Sequence, residues 1–285
     1  MDKIIINFVP TGMVPTKNDT PFVPVSAREI IENVKEASEL GITMVHIHAR
    51  NEYNGEPCYK KENYARIISG IREISPDLVI CVSTSGRAFP ELSKRMDVLT
   101  LNGDLKPDMA SLTLSSLNFS KQASVNEPES ILSLLKEMNS RGIKPELEVF
   151  DLGMINYMKY LIKKGLLMSP FYVNLILGNI ATAQPNLLQL GVMLNDLPED
   201  CLCSLGGIGN AQLPMNSLAI AMGVGVRTGL EDNIWYDAER TKLAKNIDLL
   251  KRVHVLTDIN GKNIMSSLEF RKCLKGARTY EMQSI

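Results

Sequence analysis

The chain has 285 residues, a formal net charge of −1 and 45% hydrophobic residues, which suits a globular protein with a large core and excludes a disordered chain. Lysine and arginine form no basic run, so the charge pattern of a nucleic-acid binder is missing. The five cysteines have no C-x-x-C spacing, no apolar stretch approaches a membrane span, and no signal-peptide pattern opens the chain. We therefore expect a cytoplasmic protein with reduced cysteines and no membrane partner.

Short apolar runs alternate with amphipathic runs along the chain. The apolar runs predict eight strands, at residues 4–9, within 41–50, and at 78–83, 109–114, 147–150, 172–177, 201–205 and 223–227. The amphipathic runs predict helices at 27–40, 62–74, 127–141, 154–164, 185–193, 216–222 and 239–255. Ser26, with Glu29 three residues later, has the spacing of a capping box at the start of the first helix.

The predicted strands are mostly continuous in apolar residues, which is typical of a parallel sheet buried on both faces. Eight such strands separated by helices favour a single-domain (β/α)8 TIM barrel over residues 1–285. A doubly wound open sheet is the alternative. It is disfavoured because the sequence PTGM at residues 10–13 replaces a glycine-rich dinucleotide turn after the first strand.

Two of the three histidines, His46 and His48, lie two residues apart on the second predicted strand. Because side chains alternate along a strand, both imidazoles project to the same side. They form half of a metal site that a third ligand could complete while leaving room for a substrate. The alternative is a pair of core histidines satisfied by hydrogen bonds.

In a barrel, the groups that perform chemistry lie at the carboxyl ends of the strands. Polar residues of this chain collect there, namely Thr11, His46, His48, Arg50, Ser83, Thr84, Arg87, Ser111, Thr113, Glu148, Asp151, Asn174 and Asn179. The eighth strand ends in Arg227, with the acids Glu231 and Asp232 just beyond it. A carboxylate there lies beside the first strand and can complete a site of two histidines and one carboxylate. A helix cap is the alternative for these two acids.

Several motifs together resemble the β-keto acid cleavage enzymes, whose characterised type is the 3-keto-5-aminohexanoate cleavage enzyme. They are PTGMVPT, VHIHAR, VSTSGR, MASLTLSSLNF, PELEVFDLGM, LILGN, LGGIGNAQLP and VGVRTGLEDNIWY, in the order of the family. The resemblance implies a metal-dependent (β/α)8 barrel that forms homotetramers. It also implies condensation of a β-keto acid with acetyl-CoA through an enolate, a Claisen-type addition and a retro-Claisen cleavage, giving acetoacetate and a new acyl-CoA.

The resemblance also assigns roles to individual residues. His46, His48 and Glu231 would bind Zn²⁺ or another divalent metal, Asp232 would be the base and Arg227 its charge partner. Ser83 and Ser111 match positions that contact the substrate's carboxylate or keto end, and the further candidates for substrate binding are Gly12, Val14, Thr84 and Thr113. In the family's type enzyme a glutamate at the position of Val14 meets the substrate's ammonium group, and valine cannot pair with a charge. We therefore expect a β-keto acid with an uncharged, apolar far end.

Other readings of the same residues remain open. A metal-dependent aldolase or lyase that does not use CoA would need a similar site. A hydrolase of the amidohydrolase type also carries an HxH strand but needs further histidines, and only His254 is left. A third alternative is an inactive barrel that uses a metal only for binding or assembly, although structural zinc usually has four protein ligands.

Overall fold

The computed structural model describes residues 3–276. Within them, eight parallel strands form a closed barrel and follow one another around it in chain order. The strands are β1 (Ile6–Phe8), β2 (Met44–Ile47), β3 (Val79–Val82), β4 (Met109–Thr113), β5 (Lys144–Val149), β6 (Phe171–Leu177), β7 (Cys201–Gly207) and β8 (Gly225–Thr228). Pairing of β8 with β1, which sets Arg227 opposite Asn7, closes the barrel. The predicted TIM barrel is confirmed, and the open-sheet alternative is wrong.

Helices surround the barrel and connect its strands. In the described part of the chain they are α1 (Ala27–Leu40), α2 (Lys61–Ile74), α3 (Leu92–Asp97), α4 (Pro128–Arg141), α5 (Leu152–Lys163), α6 (Leu187–Asp196), α7 (Gln212–Met222), α8 (Asn246–Ile259) and α9 (Ser267–Leu274). The capping box is confirmed, since Ser26 accepts a hydrogen bond from the backbone N–H of Glu29 and Glu29 reciprocates. None of the helices within residues 3–276 is long and apolar enough to cross a membrane.

Two short sheets lie outside the barrel. Lys3–Ile4 pairs in parallel with Asn263–Ile264 at the amino end of the barrel. Leu117–Asn118 and Ala123–Ser124 form an antiparallel hairpin after β4. We call residues 117–124 the β4 hairpin, because its tip borders the site described below.

Alternation along the strands divides the core into two parts. On β2, Val45 and Ile47 belong to the large cluster between strands and helices. Met44 instead belongs to a cluster inside the barrel that includes Tyr172 and Phe270. His46 therefore points inward, two residues further along the strand than Met44. The packing that buries β2 also fixes the direction of the first histidine.

The structure corrects three expectations about the elements. The predicted helix at 239–255 begins later, at Asn246, because residues 235–243 turn back on themselves through a bridge between Trp235 and Leu243. Helices α3 and α9 were not predicted. Strand β5 begins at Lys144 rather than at residue 147, because the ladder with β4 already pairs Lys144 with Met109. The earlier start brings Glu146 into the barrel.

Candidate metal and acid–base site

A cavity of about 670 Å³ opens at the carboxyl ends of the barrel strands. His48 from the end of β2, Arg227 from β8, and Glu231 and Asp232 from the turn after β8 all border it. Closure of the barrel produces this arrangement, because β8 and β2 both pair with β1. The sequence-predicted acids and the second histidine therefore meet in one space.

His46, His48 and Glu231 form a compact group in which all potential ligand atoms lie within 4.8 Å of one another. The Nε2 atoms of the two histidines are 3.2 Å apart, and Nε2 of His48 lies 3.4 Å from Oε1 of Glu231. The other carboxylate oxygen of Glu231 is buried and finds no hydrogen-bond partner among residues 3–276. Two imidazole nitrogens and one carboxylate, open to a cavity on one side, fit a divalent cation that also takes a substrate oxygen.

Glu146, which was not among the predicted site residues, fixes the His46 imidazole through a hydrogen bond with Nδ1. Its buried carboxylate accepts hydrogen bonds from Nδ1 of His46 at 2.5 Å and from the amides of Asn7 and Asn174, each at 2.6 Å. The Cys81 thiol donates to the same carboxylate at 3.1 Å. With Nδ1 engaged by a carboxylate, Nε2 is the nitrogen left to face His48 and Glu231. Glu146 lies in the motif PELEVFDLGM, but nothing local distinguishes it from Glu148, since its partners come from four other strands.

Charge around His46 has a direct consequence for metal binding. Burial alone lowers the pKa of His46, but the negative charges of Glu146 and Glu231 outweigh it and raise the pKa to about 9. A cation that binds Nε2 must therefore displace a proton from this imidazole. Metal affinity at this site should rise with pH below about 9 for that reason.

Arg227 is the centre of a buried charge network. Its Nε lies 3.0 Å from Oδ2 of Asp232, and one terminal nitrogen lies 2.6 Å from Oε1 of Glu231. The other terminal nitrogen approaches Oε1 of Glu148 at 3.7 Å, and Thr113 donates a hydrogen bond to that carboxylate at 2.6 Å. One guanidinium thus orients three carboxylates at the cavity.

Asp232 has the properties of a proton acceptor near neutral pH. Burial raises the pKa of Asp232, the positive charge of Arg227 lowers it, and the negative charge of Glu231 raises it again. The resulting pKa is about 6. A carboxylate with such a pKa is a stronger base than an exposed aspartate and is still ionised at pH 7. The bidentate contact with Arg227 fixes its direction.

The positions expected to bind substrate divide into two groups. Ser83, Thr113 and Val14 border the cavity, and Val14 is 51% exposed. Thr84 and Ser111 do not border it but bond to each other behind it, since the backbone N–H and the hydroxyl of Thr84 both donate to Ser111.

Gly12 also lies behind the cavity, against Glu231. A Cβ atom on Gly12 would be 2.6 Å from Cγ of Glu231, and its φ of +65° is one that favours glycine. Its role in the structure is therefore to leave room for the Glu231 side chain. The expectation of direct substrate contact at Gly12, Thr84 and Ser111 has no support from this geometry.

Comparisons with known proteins agree with the motifs. A family model described as beta-keto acid cleavage enzyme matches residues 3–275. The 3-keto-5-aminohexanoate cleavage enzyme of Fusobacterium nucleatum subsp. nucleatum is 34% identical over 276 residues, which cover 96% of this chain and 98% of that protein. The 3-oxoadipate:acetyl-CoA acetyltransferase of Cupriavidus necator is 34% identical over 274 residues, which cover 95% of this chain and 94% of that protein.

Among solved structures, the binary complex of ObcA with oxaloacetate shares the fold with a TM-score of 0.76 at 18% identity. The match covers 90% of this chain and 67% of that chain. The resemblance read from the sequence motifs is therefore confirmed at the level of the family and the fold. The chain belongs to the β-keto acid cleavage enzymes.

Proposed function

We propose that this enzyme condenses a β-keto acid with acetyl-CoA and releases acetoacetate and a new acyl-CoA. The observation that carries the proposal is the convergence of His46, His48 and Glu231 beside an Asp232 carboxylate oriented by Arg227. A relative at 34% identity is named as an acetyl-CoA acetyltransferase of 3-oxoadipate, and another as a 3-keto-5-aminohexanoate cleavage enzyme. Both names support a β-keto acid as substrate here, and the first also supports acetyl-CoA.

His46, His48 and Glu231 would hold the cation, Zn²⁺ or another divalent metal. When bound, the metal polarises the keto group and so acidifies the methylene beside it. Asp232 removes the methylene proton, and Arg227 holds the carboxylate in place before and after the transfer. The hydroxyl group of Ser83 donates to the carboxylate next to that methylene, whereas the Thr113 hydroxyl already donates to Glu148 and orients that side chain at the cavity. The carbanion carbon attacks the thioester carbonyl of acetyl-CoA and the CoA thiolate leaves. The thiolate then adds to the former keto carbon, whose bond to the methylene carbon breaks to give the new acyl-CoA. Asp232 returns its proton to the methylene carbon, and acetoacetate is released.

Val14 limits the identity of the β-keto acid. Its apolar side chain borders the cavity, where the resemblance implies that the type enzyme carries a glutamate for an ammonium group. Placing an ammonium ion against valine would leave the charge without a partner. We propose a substrate without the 5-amino group, and we expect Val14→Glu to raise kcat/KM for the 5-amino substrate relative to its deaminated analogue.

Product formation from acetyl-CoA and a panel of β-keto acids tests the reaction, with acetoacetate and acyl-CoA measured together. Asp232→Asn should lower kcat by about 100- to 10,000-fold while bound metal remains stoichiometric. Glu231→Ala should lose both metal and activity. Glu239→Gln, an exposed acid beyond the cavity, should leave both unchanged. Cleavage that proceeds without acetyl-CoA would support the aldolase or hydrolase alternative instead.

The resemblance also implies a homotetramer, and the cysteine usage implies a reducing, cytoplasmic location. We propose both. Light scattering on the purified, metal-loaded protein measures the oligomer directly, and a monomer would contradict the first of these.

A further inference from the structure

Arg87 is a cationic side chain at the cavity to which the proposed reaction gives no role. It follows β3, borders the cavity, and stacks its guanidinium on the ring of Phe119 in the β4 hairpin, 4.0 Å from the ring centroid. Its Nε atom is buried and has no hydrogen-bond partner among residues 3–276. None of the salt bridges among the described residues involves Arg87, although the negative charge of Glu231 acts on it from a distance.

The other buried arginines near the site differ from Arg87 in this respect. Arg227 contacts three carboxylates, and Arg95 donates to the backbone of Thr84 and to the side chain of Asn126. Arg50 also has buried nitrogens without a partner, but it donates to the backbone of Pro15 and does not border the cavity. Arg240 also borders the cavity, but it is exposed and its Nε donates to Asn210, so Arg87 is the half-buried arginine of the described cavity lining that has donors left for a ligand.

Arg87 lies on the side of the cavity formed by the β4 hairpin and the loop after β1. Lys121 of the hairpin exerts its charge on Asp19 of that loop, so the two segments adjoin. Gln122 of the hairpin donates to the backbone carbonyl of Arg87. Val14 belongs to the same loop as Asp19 and borders the same cavity. Arg87 and Val14 therefore border the cavity from adjoining segments, and Val14 is the position assigned above to the substrate's far end.

A half-buried guanidinium without a contacting ion-pair partner is a costly arrangement that a suitable ligand relieves. Stacking on Phe119 holds the planar group in one orientation, which lowers the entropy lost when it binds. A planar fork of N–H donors matches the two oxygens of a carboxylate. The carboxylate next to the reacting methylene has the Ser83 hydroxyl at the cavity, which leaves Arg87 for another group of the substrate.

We infer that Arg87 binds a second carboxylate at the far end of the substrate, which makes the substrate a β-keto dicarboxylic acid. This inference rests on the proposed function. The reaction then converts a β-keto dicarboxylic acid and acetyl-CoA into acetoacetate and the CoA thioester of a dicarboxylic acid. The apolar far end expected from Val14 alone is replaced by an anionic one. Val14 excludes the ammonium group, and Arg87 selects the opposite charge.

Steady-state kinetics with a matched pair of substrates tests the inference. A six-carbon β-keto dicarboxylic acid is compared with 3-oxohexanoate, which has the same length and no second carboxylate, at saturating acetyl-CoA. Arg87→Gln should lower kcat/KM for the diacid by about 10- to 100-fold and change that for 3-oxohexanoate less than about twofold. Arg87→Lys should fall between the wild type and Arg87→Gln, because lysine keeps the charge without the fork.

Lys121→Gln is the matched control, since it removes one positive charge from the same cavity. It should leave the ratio of the two kcat/KM values unchanged. If Lys121→Gln and Arg87→Gln lower kcat/KM for the diacid equally, the assignment of the second carboxylate to Arg87 is overturned. It is also overturned if Arg87→Gln lowers kcat/KM equally for both substrates, because Arg87 would then bind the carboxylate next to the reacting methylene. If Arg87→Gln raises the KM of acetyl-CoA but not the KM of dephospho-acetyl-CoA, the inference is overturned and Arg87 binds a phosphate of CoA instead.

A binding measurement separates this inference from the proposed function. If the metal-loaded wild type turns over no β-keto acid, the proposed function fails. Calorimetry with adipate and hexanoate then still tests Arg87. Adipate should bind more tightly than hexanoate to the wild type, and Arg87→Gln should remove the difference without changing the unfolding temperature. Equal binding of the two acids to the wild type would overturn the inference.

Discussion

His46 is held in place by a buried carboxylate that belongs to neither the cavity nor its rim. Glu146 is fully buried and accepts hydrogen bonds from four side chains. Such a partner fixes both the tautomer and the orientation of a ligating imidazole. Glu146 is therefore a positioning residue, and we expect its replacement to lower the metal affinity more than the kcat of the metal-loaded enzyme.

Glu146→Gln should weaken metal binding by about 10- to 100-fold, because an amide presents an N–H group to donors that need an acceptor. Titration against a competing chelator measures the affinity. Cys81→Ser is the informative control, since Cys81, His46 and Glu146 also form a possible metal group. Our assignment requires that Cys81→Ser keep the affinity within a few-fold. Loss of metal binding in Cys81→Ser would instead indicate that the metal binds to His46, Cys81 and Glu146.

Gly12 illustrates how a residue without a side chain shapes the same site. Gly12→Ala should cost stability through its positive φ and should also push Glu231 away from the histidines. Gly103→Ala is a matched control, because its φ is +60° but nothing lies within 4 Å of the added methyl group. We expect a larger fall in the unfolding temperature for Gly12→Ala than for Gly103→Ala, because only the first methyl group clashes, and a loss of metal affinity in Gly12→Ala alone. Equal affinities would show that Glu231 accommodates the methyl group.

At the scale of elements, the first turn of α1 depends on Glu29. Burial raises the pKa of Glu29, but hydrogen bonds from Lys17 and from the backbone of Ser26 and Val25 outweigh it and lower the pKa to about 2. The carboxylate is thus needed in its charged form in the folded chain. Its contribution to stability is fully present above pH 4.5, its ordinary pKa, and disappears as the pH falls toward 2.

Glu29→Gln should therefore lower the free energy of unfolding at pH 7 by about 1 kcal/mol, because glutamine can keep the capping-box contact but loses the charge that Lys17 and the helix N-terminus favour, and by less at pH 3. Urea denaturation at the two pH values measures the difference. Glu32→Gln is the control on the same helix, since Glu32 contacts only Arg28 in an exposed pair. A Glu29→Gln effect that stays constant between pH 7 and pH 3 would contradict this account.

At the scale of the whole molecule, α9 closes the end of the barrel opposite the cavity. Phe270 packs its ring against that of Tyr172 inside the barrel, with centroids 5.1 Å apart. Arg271 forms ion pairs with Asp108 just before β4 and donates to the carbonyl of Leu78 just before β3. The helix thus links several strands at their amino ends.

Phe270→Ala should lower the free energy of unfolding by about 3 to 5 kcal/mol, as expected for a large cavity in a core. Activity per folded molecule should persist, because Phe270 lies at the amino end of the barrel and the site lies at the carboxyl end. Leu268→Ala, at a 51% exposed position of the same helix, should change stability by less than about 0.5 kcal/mol. A loss of activity in folded Phe270→Ala would reveal coupling between the two ends.

Local patterns in the sequence determined the class of the fold and the half of the site that lies close together in the chain. Alternation on one strand is enough to place His46 and His48 on the same side, and the spacing from Arg227 to Glu231 and Asp232 is enough to group them. The capping box of Ser26 and Glu29 is likewise a matter of four consecutive residues. The single-domain division of the chain stays a prediction of the same kind.

Only the tertiary structure decided which of these groups meet and what else surrounds them. Pairing of β8 with β1 brings Glu231 within 3.4 Å of His48, although 183 residues separate them along the chain. Glu146 beneath His46 and Phe119 beneath Arg87 likewise depend on pairings between distant strands and loops. Side-chain periodicity reports only whether a residue is buried. The identity of its neighbours follows from closure of the barrel, which no local pattern contains.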